Sequence, residues 1–398
     1  MSDVEQDDAR PDPAAPSRAR RPGRRRARPP RRHTVAKVLL SSLLVLGMVT
    51  GLSVVFIYRH LNGNLTVVDL ADQLHDRPEK QGRDLPQEPL NILVMGSDSR
   101  DCEGCNIDNL TGGGQRSDTT ILVHVSADRQ RAYGISIPRD SMVDRPDCTT
   151  EDGENIPGAD YVMWNEAFGL GGPACTMQQF EQLTGVRLDH FVVVNFEGFK
   201  GMVDAVGRVE MCIPEPISDP AHGINIEAGT RELQGTEALN YVRARYSIGN
   251  GSDTGRMKRQ QAFIASMTNK VVSAGTLARP DRLVGFLNAA TSSLTVDPGL
   301  KNLMKLADLG LQFQNTGLDK IQFITIPNEP DPQDPNRLVW VEPRAQEVWD
   351  KIANDEPLTK KLSEDVISAG DLPGSGGPSQ GPPNEADKQA LADAGLCT

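Results

Sequence analysis

Charged residues recur in five short stretches of this sequence; the first three hold both an acid and an arginine, and the last two hold arginines. Gly-Ser-Asp-Ser-Arg begins at Gly96; Arg-Ser-Asp-Thr and Ser-Ile-Pro-Arg-Asp follow it, and Arg-Ala-Arg and Gly-Arg-x-x-Arg-Gln come far downstream. The stretches supply these candidate site residues: Asp98, Asp118, Arg100, Arg116, Arg139, Arg243, Arg245, Arg256, Arg259 and Gln260. Mg²⁺ prefers carboxylate and phosphate oxygens as ligands, and planar guanidinium groups bind phosphates in a bidentate manner. These residue types indicate one folded pocket for a metal ion, Mg²⁺ or Mn²⁺, and a pyrophosphate.

Each stretch by itself has an ordinary alternative, because Asp and Arg at strand ends usually form solvated surface pairs. Arg259 in particular fits a charge on a helix surface as well as it fits a ligand to phosphate. The order and the combination of the five stretches, rather than any one of them, favour a common site.

The apolar pattern predicts short strands rich in Val and Ile and bounded by turn residues. The predicted strands are Leu90–Met95, Thr120–Val125, Ala132–Ile137, His190–Phe196, Val209–Ile213 and Ile321–Ile326. Helices are predicted at Cys175–Leu183, Phe199–Val206 and Arg256–Ser273, and two more begin at Pro280 and Leu300. Strands interleaved with helices predict an α/β (or α+β) fold, with a central mixed β-sheet flanked by helices on both faces.

The candidate residues fall at predicted strand ends or in the loops beyond them, where ligands bind in open α/β sheets. Asp98 follows one strand and Asp118 precedes the next, so antiparallel pairing would bring both to one sheet edge. Arg243 and Arg245 would diverge by about 200° on a helix, so both reach one ligand only if the chain is extended there. The last stretch opens the following helix, where side chains three and four apart share a face near the positive end of the helix dipole.

A membrane span is predicted at residues 38–58, which carry no charge and are long enough to cross a bilayer. Residues 1–37 hold ten arginines and one lysine against five acids, whereas only Arg59 and His60 follow the span directly. The positive-inside rule then predicts a single-pass cell-membrane protein with a cytoplasmic N-terminus and an extracytoplasmic domain. A cleaved signal peptide is the alternative; the length of the apolar run and the lack of an Ala-x-Ala-like site favour an uncleaved anchor.

Composition divides the chain into a disordered basic cytoplasmic tail (1–37), the transmembrane anchor (38–58), a polar stalk (59–88), a compact domain (89–356) and a disordered Gly/Pro-rich tail (357–398). The whole chain carries a formal charge of −12 although its first residues are basic, so the compact domain is strongly acidic. Because an acidic domain repels nucleic acid, we expect no nucleic-acid partner.

Six cysteines fit a protein exported to an oxidising compartment. Cys102 and Cys105 could form a redox pair or half a zinc site. No second metal-binding pair accompanies them, so a local structural disulfide is the better interpretation. Cys148–Cys175 is a further predicted pair, although spacing alone does not determine connectivity.

The motifs resemble those of the LytR-CpsA-Psr family of cell-envelope proteins. The matching text is LNILVMGSDSR, RSDTTILVHV, YGISIPRDS, EALNYVRARY and GSDTGRMKRQQAFI, in the family's order. A basic tail and one membrane span precede these motifs, as they do in the family.

The resemblance implies a phosphotransferase that moves a glycopolymer (teichoic-acid-like, arabinogalactan-like or capsular) from a polyprenyl-pyrophosphate carrier to a peptidoglycan hydroxyl in cell-wall assembly. It implies metal-associated aspartates at Asp98 and Asp118, and it adds Arg139 to the catalytic set. Pyrophosphate contacts are implied for Arg100, Arg116, Arg139, Arg243, Arg245, Arg256 and Gln260. The metal and the arginines would stabilise phosphate oxygens that gain charge, and either aspartate could orient or deprotonate the acceptor hydroxyl.

A lipid carrier needs an apolar trough, which helices Phe199–Val206 and Phe263–Val272 could line against the sheet, although an ordinary core accounts for most of these positions. The chain departs from the family at Met163, where many relatives carry lysine. We interpret this change as a variation in carrier or polymer contacts, because the aspartates and arginines are retained.

Two other functions stay open on sequence grounds. One is a pyrophosphatase that uses the same site with water as the acceptor. The other is a non-catalytic, membrane-tethered binder of lipid pyrophosphates that regulates the envelope. An acceptor assay with and without glycan separates transfer from hydrolysis, and unchanged cellular function after loss of Asp98 would favour the binder.

Overall fold

The structure, a computed structural model, describes residues 34–81, 87–97, 117–220, 223–245, 248–272, 279–363, 366–371 and 385–397. It forms two units, of which the first ends at Val55 and the second begins at Phe56. The α-helices of the described residues are α1 (Thr34–Asn64), α2 (Glu166–Thr184), α3 (Phe196–Val206), α4 (Gly235–Arg243), α5 (Asp253–Val272), α6 (Pro280–Thr291), α7 (Leu303–Thr316), α8 (Arg344–Ala353) and α9 (Glu385–Ala394).

The strands in the same ranges are β1 (Thr66–Val67), β2 (Leu90–Ser97), β3 (Ser117–Val125), β4 (Ala132–Ile137), β5 (Met142–Arg145), β6 (Cys148–Thr149), β7 (Asn155–Ile156), β8 (Ala159–Met163), β9 (His190–Asn195), β10 (Val209–Ile213), β11 (Ile217–Asp219), β12 (Ile224–Ile226), β13 (Gly229–Leu233), β14 (Leu294–Val296), β15 (Ile321–Thr325), β16 (Asn328–Pro330), β17 (Leu338–Trp340) and β18 (Ile367–Ser368).

Eight of these strands form a central mixed sheet in the order β1-β14-β9-β2-β3-β4-β15-β18. Strand β3 is antiparallel to both of its neighbours, β2 and β4, whereas β9 lies parallel to β2 and β15 lies parallel to β4. The carboxyl ends of β2, β4, β9 and β15 therefore meet the start of β3 at one edge of the sheet. This edge carries the polar residues of the candidate site.

Helices cover both faces of the sheet, because side chains alternate along each strand. On one face Leu93 and Met95 pack with α2 and α8, where the ring of Phe180 lies edge-on to that of Trp349 with centroids 5.6 Å apart. On the other face α3, α4 and α5 pack over the sheet, with Phe263 of α5 at the centre of that core. The predicted α/β fold with helices on both faces is thereby confirmed.

Helix α1 contains the predicted span, and its side chains are exposed along almost its whole length. By length and apolar composition this helix could cross a membrane.

Most predicted elements are present with small shifts at their ends. The predicted strand Val209–Ile213 exists as β10, but it pairs with β13 outside the central sheet. The helix predicted from Cys175 begins at Glu166 and is kinked at Gly171 and Gly172, just before a proline. Proline lacks the amide hydrogen and disfavours helical geometry in the residue before it, which accounts for the kink.

Two further helix starts differ from the predictions. Helix α5 begins at Asp253 rather than Arg256, because the Ser252 hydroxyl caps it by accepting a hydrogen bond of 3.0 Å from the amide of Gly255. The helix predicted from Leu300 begins at Leu303, after a short 3₁₀ turn.

The expectation of a disordered tail from residue 357 is wrong for the described residues of that tail. Strand β18 pairs antiparallel with β15 at the edge of the central sheet, and α9 packs on α5. Leu391 and Leu396 are buried, and Cys397 forms a disulfide with Cys212. Because Gly and Pro dominate the composition of this region, two short apolar segments that pack on the domain were not predicted.

The predicted disulfide Cys148–Cys175 is confirmed and joins β6 to α2. The pairing of Cys212 with Cys397 was not predicted. Cys102 and Cys105 lie outside the described residues. Both described disulfides are consistent with an oxidising compartment.

Candidate active site

A cavity of about 470 Å³ lies between the central sheet and helices α3, α4 and α5. Its floor is made by alternate residues of three strands: Val94 and Gly96 of β2, Thr119 and Ile121 of β3, and Val194 of β9. These residues point away from the core that holds Leu93 and Met95, as strand alternation requires. The cavity therefore occupies the face of the sheet on which α5 packs.

Helix α5 forms one wall of the cavity with a single stripe of side chains. The stripe runs from Arg256 and Gln260 to Phe263, Ile264 and Met267, at spacings that fall on one helix face. The eleven residue steps from its first to its last member span about 16 Å along the axis. The stripe begins with polar groups and ends with apolar ones, so the cavity has a polar end and an apolar end.

Helix α3 forms the facing apolar wall with Phe196, Phe199 and Met202. The Asn195 side chain fixes the start of this helix by accepting a hydrogen bond of 2.8 Å from the amide of Gly198. The two helices predicted to line an apolar trough thus do contribute to one cavity. Phe263 at the same time belongs to the core, so both interpretations of these positions hold.

At the polar end, carboxylates and guanidinium groups alternate. Arg139 Nη1 donates a hydrogen bond of 2.6 Å to Asp118 Oδ1, and Arg139 Nε lies 3.8 Å from Asp253 Oδ1. Arg256 Nη2 lies 2.5 Å from the same Asp253 oxygen. Three chain segments that are distant in sequence are therefore linked by charge at the edge of the sheet.

The protonation of these arginines follows from burial and charge together. Burial lowers the pKa of Arg139, but the adjacent Asp118 carboxylate more than offsets this, so the pKa lies above its usual value. Burial lowers the pKa of Arg256, and the neighbouring positive charge of Arg139 acts in the same direction. Arginine stays protonated at neutral pH in either case, so both groups are available as cations.

The end of α4 presents two further arginines to the cavity, Arg243 and Arg245. The helix ends at Arg243, and Ala244 is extended, with ψ of 131°. Because Arg243 and Arg245 would diverge on a helix, an extended chain at Ala244 is what both side chains need in order to reach one ligand. The guanidinium carbon of Arg243 also lies 4.8 Å from the ring centre of Phe196, a cation–π distance.

Gln260 and Arg259 have different roles, although they are adjacent on α5. Gln260 lines the cavity, and its amide nitrogen donates a hydrogen bond of 3.1 Å to the carbonyl oxygen of Val242 in α4. Arg259 does not line the cavity, and only 1% of it is exposed. It is therefore neither a surface charge nor a ligand in the cavity, and both interpretations made from the sequence are wrong.

The predicted site residues that the structure describes come together in this cavity. They are Asp118, Arg139, Arg243, Arg245, Arg256 and Gln260. Asp98, Arg100 and Arg116 lie outside the described residues. Met163 lies in β8 opposite Met142 of β5 and does not line the cavity.

Asp253 is a site residue that the sequence reasoning missed. Only 9% of its side chain is exposed, and neither carboxylate oxygen has a well-aligned hydrogen bond within the described ranges. The available signal was its position three residues before Arg256, where side chains meet on a helix. It was overlooked because the helix was expected to begin after it.

The described carboxylates can be tested against the predicted metal. Asp118 lines the cavity and is 28% exposed, whereas Asp253 is not a lining residue and contacts two that are, Arg139 and Arg256. Hard oxygen donors of this kind suit Mg²⁺ or Mn²⁺. No cluster of three or more acidic, His or Cys ligands occurs among the residues that the structure describes. The donor set fits a metal held partly by substrate oxygens.

The fold and the cavity together define an α/β protein in which an apolar trough ends in a cluster of arginines and aspartates. The chain belongs to the LytR-CpsA-Psr family (LytR_cpsA_psr), whose sequence profile matches residues 57–354.

Relatives of known sequence and structure agree with this assignment. The probable cell wall biosynthesis protein LcpB of Corynebacterium glutamicum is 37% identical over 226 residues, which cover 56% of this chain and 51% of LcpB. The chain therefore spans about half the length of LcpB. The polyisoprenyl-teichoic acid–peptidoglycan teichoic acid transferase TagV of Bacillus subtilis is 27% identical over 350 residues, or 84% of this chain and 79% of TagV. A LytR-Csp2A-Psr enzyme from Actinomyces oris has the same fold, with a TM-score of 0.54 at 21% identity over 73% of this chain and 96% of that one.

Proposed function

We propose that this protein is a membrane-anchored phosphotransferase that moves a glycopolymer from a polyprenyl-pyrophosphate carrier to peptidoglycan. The observation that carries the proposal is the continuity of the cavity, which joins an apolar trough to a cluster of guanidinium groups. A polyprenyl pyrophosphate has the matching form, because a long apolar chain ends in a doubly charged head group. Family membership and the transferase activity in the name of TagV support the same assignment.

The polar end of the cavity suits a pyrophosphate in charge as well as in shape. Four arginines line the cavity together with two carboxylates, those of Asp118 and Asp219, so the lining is net positive in a chain whose net charge is −12. Guanidinium groups bind phosphate oxygens through paired hydrogen bonds. Arg243 and Arg245 reach the cavity from α4, and Arg139 and Arg256 reach it from β4 and α5. Such a group could hold both phosphates from opposite sides.

The transfer reaction needs no nucleotide, because the bond that breaks is already activated. The acceptor hydroxyl oxygen attacks the phosphorus that bears the glycopolymer, and a phosphodiester to the acceptor forms. The bond from this phosphorus to the bridging oxygen breaks, and polyprenyl phosphate leaves. The hydroxyl proton passes to a carboxylate, for which Asp118 is the described candidate beside the arginines. The arginines stabilise the oxygens that gain negative charge.

A bound Mg²⁺ or Mn²⁺ would supply positive charge to the phosphate oxygens, with Asp118 and the predicted ligand Asp98 as its protein donors.

We also propose that the compact domain lies outside the cytoplasmic membrane. The basic residues before α1 support a cytoplasmic N-terminus by the positive-inside rule. The Cys148–Cys175 and Cys212–Cys397 disulfides support an oxidising location for the domain. Peptidoglycan lies on the same side.

The test is a transfer assay with the detergent-extracted full chain, a polyprenyl-pyrophosphate-linked glycan and peptidoglycan fragments. We expect glycan to appear on the peptidoglycan together with free polyprenyl phosphate, and Arg139→Gln to reduce both products. Arg337→Gln is the matched control. Arg139 and Arg337 both contact Asp140, but Arg337 does not line the cavity. Release of polyprenyl phosphate at the same rate without an acceptor would show a pyrophosphatase instead. Carrier binding without either product would show a binder.

A further inference from the structure

Arg259 is buried between two parts of the chain that lie far apart in sequence. Its Nη1 donates a hydrogen bond of 2.8 Å to the carbonyl oxygen of Ala394 at the end of α9. Its Nη2 donates another to the carbonyl oxygen of Ala244. Ala244 stands between Arg243 and Arg245, the two arginines that α4 presents to the cavity. One guanidinium group thus joins the C-terminal segment (residues 385–397) to the backbone of the phosphate-facing arginines.

The same C-terminal segment contacts the second half of the connection from α4 to α5 through its backbone. The amide of Asn250 donates a hydrogen bond of 2.9 Å to the carbonyl oxygen of Asp393. A Cβ atom added to Gly249 would lie 2.1 Å from that oxygen, and one added to Gly395 would lie 2.3 Å from a side-chain carbon of Ile248. The backbone of the segment therefore leaves no room for a side chain at Gly249, and the Ile248 side chain occupies the space beside Gly395.

A covalent bond holds the segment in place at its far end. The Cys212–Cys397 disulfide connects it to β10, which packs against α5. Leu391, Ala394 and Leu396 of the segment are buried in the core on the α5 side. The segment thus touches α5, β10 and the connection that carries Arg245, without itself lining the cavity.

We propose that the C-terminal segment fixes the geometry of the pyrophosphate site, and that Arg259 is a positioning residue acting through Ala244. The inference rests on the proposed function, since it concerns how that site holds its phosphate ligand. The extended geometry of Ala244 is what allows Arg243 and Arg245 to face one ligand, and Arg259 bonds the carbonyl group of that residue. Loss of the segment would remove one of the two carbonyl acceptors of this buried guanidinium group, which favours a shift of Arg259 and of the Ala244 carbonyl group that it bonds.

The primary test compares two glycine variants of the same connection. Gly249→Ala and Gly251→Ala both place alanine at a positive φ, 57° and 74°, so both strain the backbone in the same way. Only Gly249→Ala clashes with the C-terminal segment, because a Cβ at Gly251 would meet its nearest neighbour, the Arg245 carbonyl oxygen, at 3.5 Å. We expect Gly249→Ala to weaken binding of geranylgeranyl pyrophosphate by about tenfold or more, the loss that one charge-assisted contact produces. Gly251→Ala should stay within about threefold of the wild type.

A second measurement uses the unaltered full chain, in case Gly249→Ala does not fold. Coupling between sites is reciprocal, so a segment that favours pyrophosphate binding must itself be stabilised by pyrophosphate. We expect saturating geranylgeranyl pyrophosphate to slow amide hydrogen exchange in residues 385–397. Arg259→Lys should abolish this protection, because one ammonium group cannot reproduce the guanidinium fork between two carbonyl groups. Lys270→Met, at the other end of α5 and outside the cavity, should retain it.

Equal affinities for the two folded glycine variants, or unchanged exchange in residues 385–397 at saturating ligand, would overturn the proposal. Transfer to peptidoglycan is measured in parallel on the wild type. If the wild type binds the pyrophosphate but transfers nothing, the proposed function fails while the role of the segment is still decided by these comparisons. If the wild type binds no pyrophosphate, both proposals fall.

Discussion

Removing the Asp253 carboxylate should destabilise the domain strongly, because it would leave Arg256 as an unpaired buried charge. The two side chains are 9% and 7% exposed, and their nearest atoms are 2.5 Å apart. Breaking such a buried pair by changing one partner typically costs about 3–5 kcal/mol. We therefore expect Asp253→Asn to lower the free energy of unfolding by about 3 kcal/mol, with the nearby positive charge of Arg139 adding to the loss.

The assay is a double-mutant cycle with Asp253→Asn, Arg256→Met and the double variant, in urea unfolding followed by tryptophan fluorescence. Because the double variant contains no unpaired charge, its loss should be about 2 kcal/mol smaller than the sum of the single losses. The Glu227–Arg231 pair is the control: it has the same separation of 2.5 Å but is 80% and 35% exposed. Its coupling should be at most about 1 kcal/mol. Additivity within about 0.5 kcal/mol at Asp253 and Arg256 would refute the reasoning.

Three further outcomes are expected. Asp118→Asn should abolish transfer yet preserve or strengthen binding of the carrier pyrophosphate, because it removes a negative charge beside Arg139. Binding and transfer are measured together, and a normal transfer rate would contradict the role assigned to Asp118. Loss of the Cys212–Cys397 disulfide by Cys397→Ser should lower the free energy of unfolding by about 5 kcal/mol, against about 3.5 kcal/mol for loss of Cys148–Cys175 by Cys148→Ser. The two disulfides close loops of 185 and 27 residues, and the longer loop loses more entropy. Equal or reversed losses in reversible denaturation would reject the loop-entropy argument. Burial raises the pKa of Asp371 to about 6, so the native state binds more protons than the unfolded state between about pH 4 and 6, and stability falls as the pH rises through this window. Between pH 4.5 and 7 the free energy of unfolding of Asp371→Asn should therefore rise by about 1 kcal/mol relative to the wild type, a value reduced because Asp371 is partly exposed. A difference between the two proteins that stays constant with pH would exclude this titration.

Local pattern determined the strands that carry the site. Alternating Val, Ile and Leu residues placed β2, β3, β4, β9 and β15 correctly, because side-chain alternation depends only on neighbours in the chain. The same pattern predicted Asp118 at the polar edge of the sheet, where the structure places it as the second residue of β3, while the placement of Asp98 stays a prediction. The motifs from Gly96 to Gln260 were enough to indicate the family, since their order along the chain is itself a sequence property.

Contacts between residues that are distant in sequence were revealed only by the tertiary structure. The contact of Asp253 with Arg139 depends on where α5 lies relative to β4, and no local signal contains that distance. The same limit applies to β10, which has the pattern of a sheet strand but pairs outside the central sheet.

The C-terminal region shows the limit most clearly. Its composition is that of a disordered chain, yet its short apolar segments are buried and its last cysteine pairs with Cys212, at a separation of 185 residues. Arg259 likewise looks like any arginine on a polar helix face, and only the approach of Ala244 and Ala394 makes it a buried link. Sequence determines what a segment can form by itself. Whether a short apolar segment or a single charge is buried depends on the surface that the rest of the chain offers it, because the free energy of burial is released only when the two meet.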